Sequence, residues 1–116
     1  MTDCLFCKIA AHEIPAKLLH EDERVVAFAD INPVAPVHAL IIPRRHIATI
    51  DDVLESDESD MGHLFRVASL VASSLGLGEG GYRTVMNCGA DAGQSVFHVH
   101  LHVLGGKPLG WPPFPK

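Results

Sequence analysis

A chain of 116 residues, 47% hydrophobic and 20% charged, has the composition of one globular domain long enough to bury a core. Its formal net charge is −5 with eight histidines counted neutral, and no basic stretch interleaved with aromatic residues occurs, which argues against nucleic acid as a partner. No stretch approaches the ~20 apolar residues of a membrane span, no charged leader precedes a long apolar run, and three cysteines make an odd count, so the expectation is a cytoplasmic protein without a disulfide framework.

From Cys4 to Ala11 the apolar residues Leu5, Phe6, Ile9 and Ala10 predict a short N-terminal helix, ended before Pro15. Ala16 to His20 reads as an edge strand, Glu21-Asp22-Glu23 as a polar turn, and Arg24 to Ala29 as a strand. Two prolines in four residues make Asp30 to Pro36 a loop. His38 to Pro43 predicts a buried strand, Ala39-Leu40-Ile41-Ile42, which Arg44-Arg45-His46 leaves. The one long helix runs from about Asp57 to Leu75. Met61, Leu64, Phe65, Ala68, Val71, Ala72 and Leu75 keep helical spacing, Ser56 is the expected cap, and Gly76 the stop. His63 lies off that stripe and reads as a surface residue. Tyr82 to Cys88 is the next strand, and Gly89 to Ser95 a loop. The tail, residues 104–116, holds four of the eight prolines and reads as extended. The whole chain, residues 1–116, is expected to form one α+β domain: about five antiparallel strands, one long helix and a short N-terminal helix.

The chemistry concentrates in Phe97-His98-Val99-His100-Leu101-His102-Val103. Apolar and imidazole side chains alternate without a fault, which predicts one strand with Phe97, Val99, Leu101 and Val103 toward the core and three histidines in a row on the other face. At a strand rise of ~3.3 Å per residue, neighbouring imidazoles start about 6.6 Å apart and the outer two about 13 Å apart. A single zinc ion with ligand nitrogens ~2 Å away cannot easily take all three, so the row must serve at least two purposes.

The preceding loop, Gly89 to Ser95, is small and polar. Its glycines let backbone N–H groups approach a ligand and Ser95 adds a hydroxyl, so it is a candidate anion site, though not a Walker loop because the G-K-[ST] ending is missing. A neutral imidazole is a good nucleophile at phosphorus once an acceptor fixes its tautomer, and a second imidazole can stabilise the developing charge. No acidic cluster sits where a catalytic Mg²⁺ would want it, so metal-free phosphoryl chemistry is the expectation. Cys4-x-x-Cys7 has zinc-ligand spacing and needs two more ligands, for which His46 and His98 are the candidates; two small buried residues on a short helix are the other reading.

His98-Val99-His100-Leu101-His102-Val103-Leu104 matches the histidine-triad signature. Phe6-Cys7-Lys8-Ile9, Phe28-Ala29-Asp30-Ile31-Asn32-Pro33, Ala35-Pro36-Val37-His38, Ile42-Pro43-Arg44-Arg45-His46 and Gly93-Gln94-Ser95-Val96-Phe97 extend the match over nearly the whole chain. The chain thus resembles the histidine triad (HIT) family, in its nucleotide-binding protein branch, and is expected to share the HIT-like fold.

The resemblance implies a purine nucleoside phosphoramidase, which cleaves the P–N bond between a nucleoside monophosphate and an amine. It implies His100 as the nucleophile, His98 and His102 as flanking members, and His38 as the histidine supporting the nucleophile through a hydrogen-bond relay. Ser95 and the Gly93-Gln94 backbone would contact the phosphate, with Ser95 near the leaving amine. Asp30 would bind the ribose hydroxyls, Asn87 the nucleotide, and Leu5, Phe6, Ile9, Ile14 and Ile31 would line the base pocket. It further implies a homodimer through the long helix and the Tyr82–Cys88 strand, and structural zinc on Cys4, Cys7, His46 and His98, with no catalytic metal. Three alternatives compete: a dinucleoside polyphosphate hydrolase; a nucleotide-binding sensor or scaffold with residual activity; and a zinc hydrolase with His100, His102 and His38 as ligands.

Overall fold

The computed structural model describes residues 3–114. Leu5–Ala10 form α1, capped by Cys4, whose Sγ accepts from the Cys7 amide at 3.4 Å. The strands are β1 (Leu18–Glu21), β2 (Val25–Ala29), β3 (Val37–Pro43), β4 (Tyr82–Val85) and β5 (Leu101–Gly105), and the long helix α2 spans Glu58–Ser74. They make one antiparallel sheet in the order β1-β2-β3-β5-β4.

The two faces of the sheet have different duties. Val25, Ala27, Ala39, Ile41, Leu101 and Val103 pack against Leu64, Val67, Ala68, Val71 and Ala72 of α2. Val26, Phe28, Leu40 and Ile42 face the other way and pack against Phe6, Ile9 and Ala10 of α1. Because side chains alternate, β2 and β3 are buried on both faces, which is why they read as continuous apolar runs. His38 and His102 take their places on the α1 face, in register with Leu104 and Leu40.

Several expectations are corrected. The histidine strand is only half a strand. β5 starts at Leu101, and His98 and His100 lie in irregular backbone before it. The β3–β5 ladder stops at Ile41↔Leu101, and two residues on the pairing would require Pro43, which has no N–H to donate. There the Val99 amide donates to the Ile47 carbonyl instead, at 2.7 Å. Phe97, expected in the core, is 49% exposed. β4 ends at Val85, which pairs with His102, and not at Cys88 as expected. Ser56 does not cap α2. A turn of 3₁₀ helix, Glu55–Asp57, leads into it, and the cap position is Asp57. The buried Asp57 carboxylate takes two hydrogen bonds from Arg45, at 2.6 and 2.8 Å, and one from the Leu54 amide. The Arg45 guanidinium and the Leu54 amide hold that carboxyl down at about 2. Phe65 leaves the helix stripe and is 54% exposed. His63 is half-buried and donates to Asp22 Oδ2, so it ties α2 to the turn before β2. Gly76 does end the helix, with φ +81°, a region open to glycine. The tail after Gly105 is irregular, with the Arg83 guanidinium over the Trp111 ring, and its last two residues fall outside those described.

Candidate active site and its metal-ligand cluster

The three histidines are divided between two clusters. His98 is fully buried and belongs to the first. Its Nε2–H donates to the Pro43 carbonyl at 2.8 Å, which leaves Nδ1 as a bare lone pair. That lone pair lies 3.3 Å from Cys4 Sγ, 3.5 Å from Cys7 Sγ and 3.3 Å from His46 Nδ1, and Cys7 Sγ is 3.5 Å from His46 Nδ1. All four ligand atoms lie within 4.8 Å of one another. A tetrahedral zinc with bonds of about 2.1 Å to nitrogen and 2.3 Å to sulfur needs edges of about 3.3–3.4 Å between nitrogens and about 3.6 Å between nitrogen and sulfur. The donor set and its spacing therefore fit such an ion, and the carbonyl partner on the far ring nitrogen is the support a metal-bound imidazole requires. Burial, then the charges of His46 and His100, lowers the His98 pKa to about 4, so the ring is held neutral.

The second cluster holds His100, His102, His38 and Asp30. His100 Nδ1–H donates to the His98 carbonyl at 2.8 Å, so in the neutral ring Nε2 is the free lone pair. His38 Nδ1 accepts from the Val34 amide at 3.1 Å, which places its proton on Nε2; that N–H donates to His102 Nδ1 at 2.8 Å. Neutral His102 must then carry its own proton on Nε2. His100 and His102, centroids 5.0 Å apart, are thus fixed in opposite tautomers: one offers a lone pair, the other an N–H. His38 touches His102 rather than His100, so its support reaches the expected nucleophile only through the ring of His102. Burial lowers both relay histidines, His102 to about 4, with the charges of His100 and His38 adding to it. Asp30 Oδ2 lies 3.3 Å from His38 Nε2 and opposes the fall at both rings.

Two clefts meet at this cluster. One, of about 270 Å³, is lined by Leu5, Phe6, Ile9, Ile14, Ile31 and Phe28 with His100 at its floor. The other, of about 410 Å³, is lined by Val34, His38, Val85, Asn87 and Leu104. Asp30, Asn32, Ser95 and His102 line both. All five expected base-pocket residues therefore come together, with Ile31 on the rim at 89% exposed. Asn32, Phe28 and Val85 were not anticipated. Phe28 was legible in principle, since it alternates with Ala27 and so faces α1.

Gly93 and Gln94 stand behind Ser95 in the loop. Neither lines these clefts, and their amides are already bonded to the Ala90 and Gly89 carbonyls at 3.0 Å. The buried Gln94 side chain accepts from the Gly89 amide and donates to Ala48 and Val96 carbonyls, so it braces the loop that presents Ser95.

An α+β sheet carrying an imidazole relay at the meeting of two clefts is the construction of a histidine-triad domain. A family model described as the HIT domain matches residues 11–109. A HIT family hydrolase from Legionella pneumophila Philadelphia 1 superposes with a TM-score of 0.93 at 50% identity, covering 97% of this chain and 100% of that one. An uncharacterized HIT-like protein from Synechocystis, slr1234, is 47% identical over 111 residues, 96% of each chain. The purine nucleoside phosphoramidase of Escherichia coli K12 is 44% identical over 108 residues, 93% of this chain and 91% of that one. The chain belongs to the HIT domain family.

Proposed function

We propose that this protein is a hydrolase acting on purine nucleoside phosphoramidates, through a nucleotide held covalently on His100. The observation that carries the reading is the pair of opposed tautomers at His100 and His102. His100 Nε2 attacks phosphorus while its Nδ1–H stays anchored on the His98 carbonyl. His102 Nε2–H, held in place by the His38 relay, donates to the phosphoryl oxygen as negative charge grows there. As the P–N bond breaks, its electron pair goes to the amine nitrogen, which takes a proton; Ser95, on the lip shared by the two clefts, is the hydroxyl placed for it. Water then gives a proton back to Ser95, displaces His100 from phosphorus and releases the nucleoside monophosphate, leaving His100 neutral.

The base fits the apolar cleft beside α1. His100 lines that cleft alone, so in-line attack sends the leaving amine toward the larger one. Among the described residues no Lys or Arg lines either cleft, which favours a single low-charge phosphate over a polyphosphate chain. The similarity to the Escherichia coli phosphoramidase supports the same choice. Zinc on Cys4, Cys7, His46 and His98 belongs to this reading as a structural ion. Bound there, it would fix His98, whose carbonyl orients His100, and would take no part in the bond changes. A homodimer belongs to it too: β4 is an edge strand, and Phe65 and Leu70 on α2 and Tyr82 on β4 are exposed.

The test is rapid quench of the enzyme with excess adenosine phosphoramidate followed by peptide mass spectrometry. A nucleotide-mass adduct on the peptide holding Phe97 to Val103 is expected. An adduct on Ser95 or Cys88, or full turnover by His100→Ala, would refute the mechanism.

A further inference from the structure

Asp30, His38 and His102 carry a second set of metal-type ligand atoms, distinct from the thiolate cluster and all within 4.8 Å of one another. Two imidazoles and one carboxylate make the donor set that takes Zn²⁺, Ni²⁺, Co²⁺ or Fe²⁺. His38 Nε2 lies 2.8 Å from His102 Nδ1 and 3.3 Å from Asp30 Oδ2. Metal bonds of about 2.1 Å put neighbouring ligand atoms about 3.0–3.4 Å apart, so the His38–His102 and His38–Asp30 pairs already stand within a few tenths of an ångström of that spacing. We propose that Asp30, His38 and His102 form a binding site for a divalent transition-metal ion that arrests the protein by dismantling its hydrogen-bond relay.

Two features support it. The cluster stands on the wall of the larger cleft, so an ion can enter from solvent. The rearrangement is small. His38 moves its proton from Nε2 to Nδ1, with no net proton released, and the metal takes Nε2. The Val34 amide then loses its acceptor, but Val34 is exposed and water can replace it. The ion replaces the proton between His38 and His102, and it occupies Asp30, which faces both clefts. The inhibitory half of the proposal rests on the hydrolase reading given above; the binding half stands without it.

The test is calorimetric titration of Ni²⁺ into full-length protein carrying Cys4→Ser and Cys7→Ser, which removes the thiolate cluster, with circular dichroism confirming the fold. One equivalent should bind. Asp30→Asn should weaken it at least tenfold, and His102→Ala should abolish it. If the double cysteine variant does not fold, zinc-loaded wild-type protein serves, and Ni²⁺ should bind as one equivalent beyond the zinc. Ni²⁺ should also stop phosphoramidate hydrolysis, with chelation restoring it. Absence of saturable binding, or binding untouched by both substitutions, overturns the site even in a protein that hydrolyses phosphoramidates. A protein that binds Ni²⁺ in this way yet hydrolyses none refutes the activity and leaves the site standing.

Discussion

A histidine's role here is decided by the partner of its other nitrogen. His98 gives its proton to Pro43, His100 gives its proton to His98, and His102 receives one from His38. His100→Ala should abolish phosphoramidate turnover yet leave mononucleotide affinity within a few-fold, as read by calorimetry, because Asp30, Ser95 and the apolar side chains of the cleft remain. His38→Ala removes only a positioning contact. It should lower kcat by about 10–100-fold with little change in KM, and His38→Gln, which keeps a donor, should recover part of the loss. The relay also sets an acid limit on stability. His38 and His102 are held neutral in the fold, His102 with a pKa near 4 against 6.5 when unfolded. The unfolded chain therefore binds more protons below pH 6.5, and stability falls as the pH drops from there toward 4. For His102 this loss is on the order of 1–2 kcal/mol after allowance for its partial exposure. Thermal melts across this range should show the fall, and His102→Gln should flatten part of it.

At the scale of elements, α1 is a short helix with several duties. Its cap is Cys4, its second cysteine joins the same cluster, and Leu5, Phe6 and Ile9 line the apolar cleft. Six residues do not hold a helix in water, so packing and the cluster must hold it. Cys4→Ala should lower the melting temperature by several degrees, while turnover at low temperature falls much less. Isolation under non-chelating conditions should give one zinc per chain by elemental analysis, and an as-purified protein without it would sink the structural-zinc reading. α2 ends through Gly76 in a left-handed conformation, so Gly76→Ala should cost about 1 kcal/mol in urea melts without altering activity.

For the whole molecule, the exposed residues of α2 and β4 predict a dimer mass by light scattering at micromolar concentration. Phe65→Lys with Leu70→Lys should shift the mass toward the monomer. Most of this architecture could be read from residues alone. Continuous apolar runs placed β2 and β3, helical spacing placed α2, and the triad residues were visible as a motif. The boundaries were harder because they depend on partners distant in sequence. Pro43 stops a ladder whose other side lies near Val99, and β4 ends at Val85, opposite the start of β5. The same limit hid the split of the histidines. Alternation describes a chain pairing on both sides, whereas His98 and His100 belong to backbone that has left the ladder. Asn32 and Val85 were missed because a cleft wall has no period. The bracing role of the Gln94 side chain was not legible, because its partners Gly89, Ala48 and Val96 are set by the fold of the loop.

The bond from the Val99 amide to the Ile47 carbonyl has a consequence in time. Val99 lies between the residue that anchors the reactive ring and the residue that carries it. When that bond breaks, the His98 carbonyl is no longer held against His100, and the lone pair loses its aim. Hydrogen–deuterium exchange at this one amide therefore acts as a clock for the misaligned state. Its protection factor gives the fraction of molecules whose nucleophile is pointed away at any instant, measured without a substrate.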